Sequence, residues 1–372
     1  MDRIRDPRPQ LADLVPYDAR EVECAVKLAS NENPRNLPPE ILKKLARGVA
    51  GFDFNRYPDP MANNLRTLIA EANGLEPGNV LVGNGGDELI FNVLMGSGGP
   101  GRSMLDAPPT FSMYALDCRV TGTGLHSLPR REDFTIDEDA FLDRVRTGRD
   151  DVVVLSNPNN PTGTLAPETL LIDTLNATDA LVLVDEAYFE FSRTTMRPHL
   201  GRHRNLVILR TFSKAFSLAG MRVGYLLAHE DVVSEVAKVR QPYSVDAFSQ
   251  MVARLVFRER AVFEHAITEI IRNRDRLYDR LAAIDGVAPF PSEANFILLR
   301  VDNAASVWRD LLHEHEVLIR DFSRSPGLEG CLRVTVGTEE ENDRFVSGLA
   351  EVLERHRSAS AAGLARERSG GA

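Results

Sequence analysis

The sequence predicts an α/β protein, a mostly parallel sheet flanked by helices, followed by a smaller α+β unit. Three observations carry this. Short, largely apolar runs recur at 80–82, 103–105, 152–155, 181–184, 206–209 and 223–227, with helical stretches between them. Their apolar character is unbroken rather than alternating, which marks strands covered on both faces. Strands separated by helices in this way build parallel sheets. The last third turns instead to shorter strands and two helices, and 372 residues suffice for two or three domains.

Taken in order, residues 1 to about 30 form a polar, proline-marked arm that ends in the apolar run Val26-Lys27-Leu28-Ala29. After Asn31-Glu32-Asn33-Pro34 a helix is expected. Pro38 and Pro39 suit its first turn, and Ile41, Leu42, Leu45 and Val49 recur at helical spacing. Asn55-Arg56-Tyr57-Pro58-Asp59-Pro60 reads as a loop by its prolines. Beyond the sheet strands a long charged helix is expected over 260–284. Strands follow at 295–300, 317–320 and 332–336, with helices at 304–314 and 339–355. The closing SASAAGLARERSGGA is poor in apolar residues and reads as a disordered tail. The expected division is 1–40 as arm and part of the small domain, 41–255 as the large domain, 256–357 as the small domain and 358–372 as the tail.

Composition narrows the function. Net charge is 44 − 54 = −10, which disfavours a general nucleic-acid binder, since that affinity rests on clustered Lys and Arg. No stretch reaches bilayer length, and the first ten residues lack the apolar core of a signal peptide. Cys24, Cys118 and Cys331 are far apart and odd in number, as free thiols in a reducing cytoplasm would be. His199 and His203 are four apart but have no third ligand nearby in sequence, so no metal is expected.

In open parallel sheets ligands bind beyond the carboxyl ends of the strands, so the loops there are where chemistry is sought. The first sheet strand leads into Gly83-Asn84-Gly85-Gly86-Asp87-Glu88 and an apolar helix from Leu89, a phosphate cradle in form. It is neither GxGxxG nor a P-loop, and a plain tight turn is the competing reading. The strand at 152–155 runs into an Asn/Pro turn, Asn157-Pro158-Asn159-Asn160-Pro161, and that at 181–184 into Asp185-Glu186-Ala187-Tyr188. The strand at 206–209 leads to Thr211-Phe212-Ser213-Lys214. An Asp there suits a cationic ring nitrogen or a metal, and a Lys suits a Schiff base or merely a snorkelling surface charge. An anion cradle, an Asn turn, an Asp and a Lys on one sheet together specify pyridoxal 5′-phosphate. That cofactor needs an amine for its aldehyde, an acid for its ring nitrogen, a donor for its ring hydroxyl and a nest for its phosphate.

These residues lie within VPYDA, KLASNENP, NRYPDP, GNGGDE, APPTFSMY, NPNNPTG, VDEAY, RTFSKAFSLAGMRVGY, PSEANF and GCLRVTVGTEEEN, in that order. With them the chain, from about Leu14 to Leu353, resembles the fold-type-I pyridoxal-phosphate aminotransferases of class II, and among these the histidinol-phosphate aminotransferase family. The resemblance implies a large cofactor-binding domain with a seven-stranded, mostly parallel sheet, and a homodimer. It implies that Lys214 carries the Schiff base and that Asp185 pairs with the ring nitrogen. Asn160 and Tyr188 are implied at the ring hydroxyl and Phe111 on the ring face. Gly86, Asp87, Thr211, Ser213 and Arg222 are implied at the cofactor phosphate, joined by Tyr57 from the partner subunit. Substrate recognition is implied for Tyr17, Arg320 and Arg333. Here 333 − 320 = 13, the spacing found in the resembled enzymes, where the two arginines and the tyrosine hold a substrate phosphate. The expected activity is transamination between L-histidinol phosphate and 2-oxoglutarate. An aromatic amino-acid aminotransferase and a threonine-phosphate decarboxylase are the alternatives. A non-catalytic relic of the fold is disfavoured by the presence of both Lys214 and Asp185.

Overall fold

The structure, a computed structural model, describes residues 8–16 and 22–369, with side chains as far as residue 359. In chain order it begins with β1 (Val26–Lys27), α1 (Pro39–Val49), α2 (Asn63–Asn73), β2 (Val80–Gly83), α3 (Gly85–Ser97), β3 (Ser103–Asp106), α4 (Met113–Thr121) and β4 (Gly124–Ser127). It continues with α5 (Glu138–Arg146), β5 (Val152–Ser156), α6 (Glu168–Ala177), β6 (Leu181–Asp185), α7 (Phe189–Ser192), β7 (Leu206–Thr211), β8 (Gly224–Ala228), α8 (Glu230–Ala237), α9 (Ala247–Arg258) and α10 (Glu264–Ala282). The last elements are β9 (Val287–Pro289), β10 (Phe296–Val301), α11 (Ala304–His315), β11 (Val317–Leu318), β12 (Arg320–Asp321), β13 (Cys331–Thr335) and α12 (Glu339–Ser369).

The main sheet has seven strands in the order β2-β8-β7-β6-β5-β3-β4, and β8 alone runs against the rest. Its side chains divide by the two-residue period of a strand. Val82, Leu105, Val153, Val184 and Ile208 join one apolar cluster. Leu81, Met104, Val154, Leu183 and Val207 join another, on the opposite face, with residues of α3, α4 and α8. Both faces are therefore covered, which is why these strands read as unbroken apolar runs. The first cluster continues into Phe296, Ile297 and Val334 of a second sheet, ordered β12-β13-β10-β9 and antiparallel throughout. The arm reaches this region through β1, which pairs in parallel with β11.

The registers gather the site. Ser156 lies opposite Asp185, Thr211 opposite Gly224, and Gly83 opposite Gly224. The carboxyl ends of β2, β5, β6 and β7 thus share one edge.

Four features differ from the sequence reading. The strand expected at 317–320 is two strands in two sheets, because the carbonyl of Ile319 between them is taken by the Trp308 indole N–H at 2.7 Å. The edge strand β4 was not anticipated: its four residues, Gly-Leu-His-Ser, are all exposed and carry no apolar run. The apolar helix after the Gly-rich stretch begins at Gly85, four residues before Leu89, so those glycines are its first turn. Finally, α12 runs to Ser369, through most of the stretch expected to be a disordered tail. Ala, Leu, Arg and Glu in that stretch are strong helix formers, so low apolar content there does not oppose a helix.

Candidate active site

The first wall of the site is the start of α3. Gly85 has φ +80°, and a Cβ on it would lie 2.7 Å from the Arg222 Nη2. A Cβ on Gly224 of β8 would lie 2.8 Å from the Gly85 carbonyl carbon and 2.9 Å from the Gly86 nitrogen. Glycines at both places let the helix start sit directly on the sheet with its N–H groups free toward a ligand. Arg222, itself at φ +51°, donates to Asp87 Oδ2 at 3.0 Å. Thr211 and Ser213, both buried, hydrogen-bond each other at 3.0 Å beside the Val223 carbonyl. Gly86, Asp87, Thr211, Ser213 and Arg222 therefore converge: a helix N-terminus, two hydroxyls and a guanidinium, which is the chemistry of an anion site.

Asp185 ends β6 and is 5% exposed. Its Oδ2 accepts from the Tyr114 hydroxyl at 2.7 Å and its Oδ1 from the Ala187 N–H at 3.0 Å. Burial pushes its pKa up to about 6 in spite of the Tyr114 bond. Both donors are neutral, and a buried carboxylate held only by neutral donors favours a cation. Phe111, half-buried, meets Tyr114 edge-on with ring centroids 5.6 Å apart.

Lys214 follows β7 and donates to the Ser30 carbonyl at 3.0 Å. Burial, and then the charge of Arg333, bring its ammonium down to about 8; Arg222 acts in the same direction, against Glu32 and Asp87. A lysine so tuned has a substantial neutral, nucleophilic fraction near neutral pH. Tyr188 is buried, with its ring edge against Phe296, and its hydroxyl accepts from Asn31 Nδ2 at 2.9 Å. Burial raises that hydroxyl to about 12, so it keeps a proton to donate.

Arg333 of β13 is buried between Phe296 and Phe322, its guanidinium 5.1 and 5.4 Å from their centroids. It donates to the Ala29 carbonyl at 2.8 Å and to Asn160 Oδ1 at 2.5 Å. With its oxygen so engaged, the Asn160 amide has its N–H₂ to offer elsewhere. Arg320 of β12 is the register partner of Arg333 and is exposed, its guanidinium 5.8 Å from the Phe322 centroid.

One expected residue stands apart. Tyr57 is 84% exposed and stacks on Tyr243 at 4.9 Å, at the surface of this chain. Tyr17 lies outside the described residues. Conversely, Tyr114, Asn31 and the carbonyls of Ala29 and Ser30 are in the site, and the sequence reading gave them no role. The only signal was their place in the APPTFSMY and KLASNENP stretches. Among the described residues no three His, Cys, Asp or Glu side chains are grouped to hold a metal ion.

The arrangement fits pyridoxal 5′-phosphate. A carboxylate lacking a cation, an amine with a lowered pKa, an amide and a phenol with free donors, an aromatic face and an anion cradle answer the five sides of that molecule. The comparisons agree. The family model for aminotransferase class I and II matches residues 24–349. Histidinol-phosphate aminotransferase 1 of Carboxydothermus hydrogenoformans is 41% identical over 95% of this chain and 100% of its own length. The histidinol-phosphate aminotransferase of Sinorhizobium meliloti, solved in complex with pyridoxal-5′-phosphate, superposes with TM-score 0.86 at 24% identity, over 95% of this chain and 99% of that one. The L-threonine-O-3-phosphate decarboxylase of Porphyromonas gingivalis superposes with TM-score 0.79 at 29% identity, over 88% of this chain and 99% of that one. By the extent of these matches, the chain belongs to the class I and II aminotransferases and, within them, to the histidinol-phosphate aminotransferase family.

Proposed function

We propose that this chain forms a cytoplasmic homodimer that transfers an amino group between L-histidinol phosphate and 2-oxoglutarate, giving imidazole acetol phosphate and L-glutamate in histidine biosynthesis. Bound pyridoxal phosphate would supply an electrophilic aldehyde and an electron-withdrawing ring. Asp185 holds the ring nitrogen cationic through a buried charge pair. Lys214 would supply the amine that anchors the cofactor and would carry the proton to and from the substrate's α-carbon. Asn160 and Tyr188 donate to the ring hydroxyl oxygen, and Phe111 covers the ring face. Gly86, Asp87, Thr211, Ser213 and Arg222 hold the cofactor phosphate, with Tyr57 reaching it from the partner subunit. The exposure of Tyr57 in the single chain supports that reading. No helix among the described residues is long and apolar enough to cross a membrane.

The observation that carries the substrate is the Arg320–Arg333 register pair. Two arginines paired in register across adjacent strands, one buried and one exposed, with guanidiniums 5.4 and 5.8 Å from the Phe322 centroid, suit a dianionic phosphate, and the buried one alone suits the carboxylate of glutamate. Tyr17 is assigned to the same phosphate. The shared architecture with a decarboxylase acting on a phosphorylated amino acid favours O-phosphothreonine as the second reading. A donor screen tests both. Histidinol phosphate, phenylalanine, tyrosine and O-phosphothreonine are offered with 2-oxoglutarate, and glutamate and carbon dioxide are measured. Glutamate from histidinol phosphate above all others is expected. Preferential turnover of phenylalanine, or carbon dioxide from O-phosphothreonine, would replace the assignment.

A further inference from the structure

We propose that Tyr114 is a positioning residue for the cofactor ring, its hydroxyl holding Asp185 anionic and correctly turned while its ring edge braces Phe111. The inference rests on the reading that Asp185 pairs with the ring nitrogen. It begins from a residue with no assigned role. Tyr114 stands in the first turn of α4, is wholly buried, and donates to Asp185 Oδ2 at 2.7 Å. A buried phenol keeps its partner because losing it would strand a polar group.

The surroundings of Asp185 show what this bond does. Two groups donate to it: the Ala187 N–H of its own loop and the Tyr114 hydroxyl from α4. The charged groups acting on it are both anionic, Asp87 from the start of α3 and its neighbour Glu186. Tyr188, from its own loop, keeps its proton. Burial and both anions oppose ionisation, so the two donors are what favour the carboxylate, and Tyr114 is the stronger of them. A carboxylate has about four acceptor positions, so these two bonds fix its plane and leave lone pairs for a cationic N–H. The same side chain meets Phe111 at 86° between ring planes. One residue thus ties the group assigned to the ring nitrogen to the group assigned to the ring face, and no polar atom of Tyr114 need touch the cofactor.

Tyr114→Phe tests this, because it removes one oxygen and keeps the ring. Without the donor, Asp185 becomes more basic and draws the ring nitrogen's proton toward itself. A less cationic ring holds the proton on the lysine-linked nitrogen more tightly. In a spectrophotometric pH titration of the holoenzyme, the midpoint of the visible band is expected to rise by about one pH unit. Cofactor affinity, measured by equilibrium dialysis, is expected to fall by about tenfold, the worth of a hydrogen bond to a charged group. That loss grows as pH falls, where the more basic carboxyl protonates first. Repeating the substitution in an Asp185→Asn background separates positioning from packing: there neither quantity moves further. A midpoint unchanged by Tyr114→Phe, or the same shift in the Asp185→Asn background, overturns the proposal. An Asp185→Asn substitution that by itself left both the midpoint and the affinity unchanged would instead overturn the underlying reading of Asp185.

Discussion

Asp185 costs its own fold stability, and that cost is a measure of what it is for. Its pKa in the folded chain is raised to about 6 from an unfolded value near 3.8. For a raised carboxyl, folding is favoured most below the unfolded value, and the advantage is lost as pH rises through the folded one. Cofactor-free protein is therefore expected to carry a penalty on the order of 3 kcal/mol at pH 7 from this group. Asp185→Asn should raise the thermal midpoint of cofactor-free protein at pH 7 and lose that advantage near pH 4, as melts across pH would show. The same substitution should weaken cofactor binding, a trade of stability against function. Lys214→Ala should cut transamination by at least about a thousandfold, within the range general acid–base groups supply, while glutamate formation is followed directly. Asp185 and Lys214 were legible because one ends, and the other lies in the loop just after, a strand whose apolar run announces itself. Tyr114 and Asn31 were not, because the partners that define them lie 71 and 157 positions away along the chain.

Strands buried on both faces could be read directly, since burial itself writes their composition. The exposed β4 and the two-residue strands β1, β11 and β12 carry no such imprint; their pairing partners create them. The helix start at Gly85 was hidden for a related reason: glycine is a poor helix former, and it is there because its φ is +80° and a Cβ would lie 2.7 Å from the Arg222 guanidinium. Gly224 makes the crowding there testable. Gly224→Ala places a methyl against the backbone of Gly85 and Gly86, which cannot yield as a side chain would. Overpacking of this kind costs about 1–3 kcal/mol. Because the displaced backbone is the anion cradle, affinity for pyridoxal phosphate should fall more than affinity for pyridoxal, measured by dialysis.

At the scale of the molecule, exposed aromatics point outward from an otherwise ordinary surface. Phe54 and Tyr57 are 72% and 84% exposed, with Tyr243 stacked beside the latter. Patches of this kind mark association surfaces. If Tyr57 completes the partner's site, Tyr57→Ala should weaken cofactor binding though it touches nothing in its own site. At cofactor concentrations too low to load Tyr57→Ala sites, mixing Tyr57→Ala chains with Lys214→Ala chains should then recover activity. Random exchange makes half the dimers mixed, each with one intact site of two, so about a quarter of wild-type activity is expected. Recovery absent after verified subunit exchange would place both residues in one chain's site.

The arm that enters through β1 has one more consequence. Its carbonyls at Ala29 and Ser30 are met by Arg333 and Lys214, partners 304 and 184 residues further along. During synthesis the ribosome therefore delivers one border of the pocket 304 residues ahead of its counterpart. A nascent chain halted before residue 331 could close the main sheet, yet it would lack β13 and the guanidinium that meets Ala29. The finished pocket therefore waits for β13, and its assembly is expected to follow closure of the main sheet.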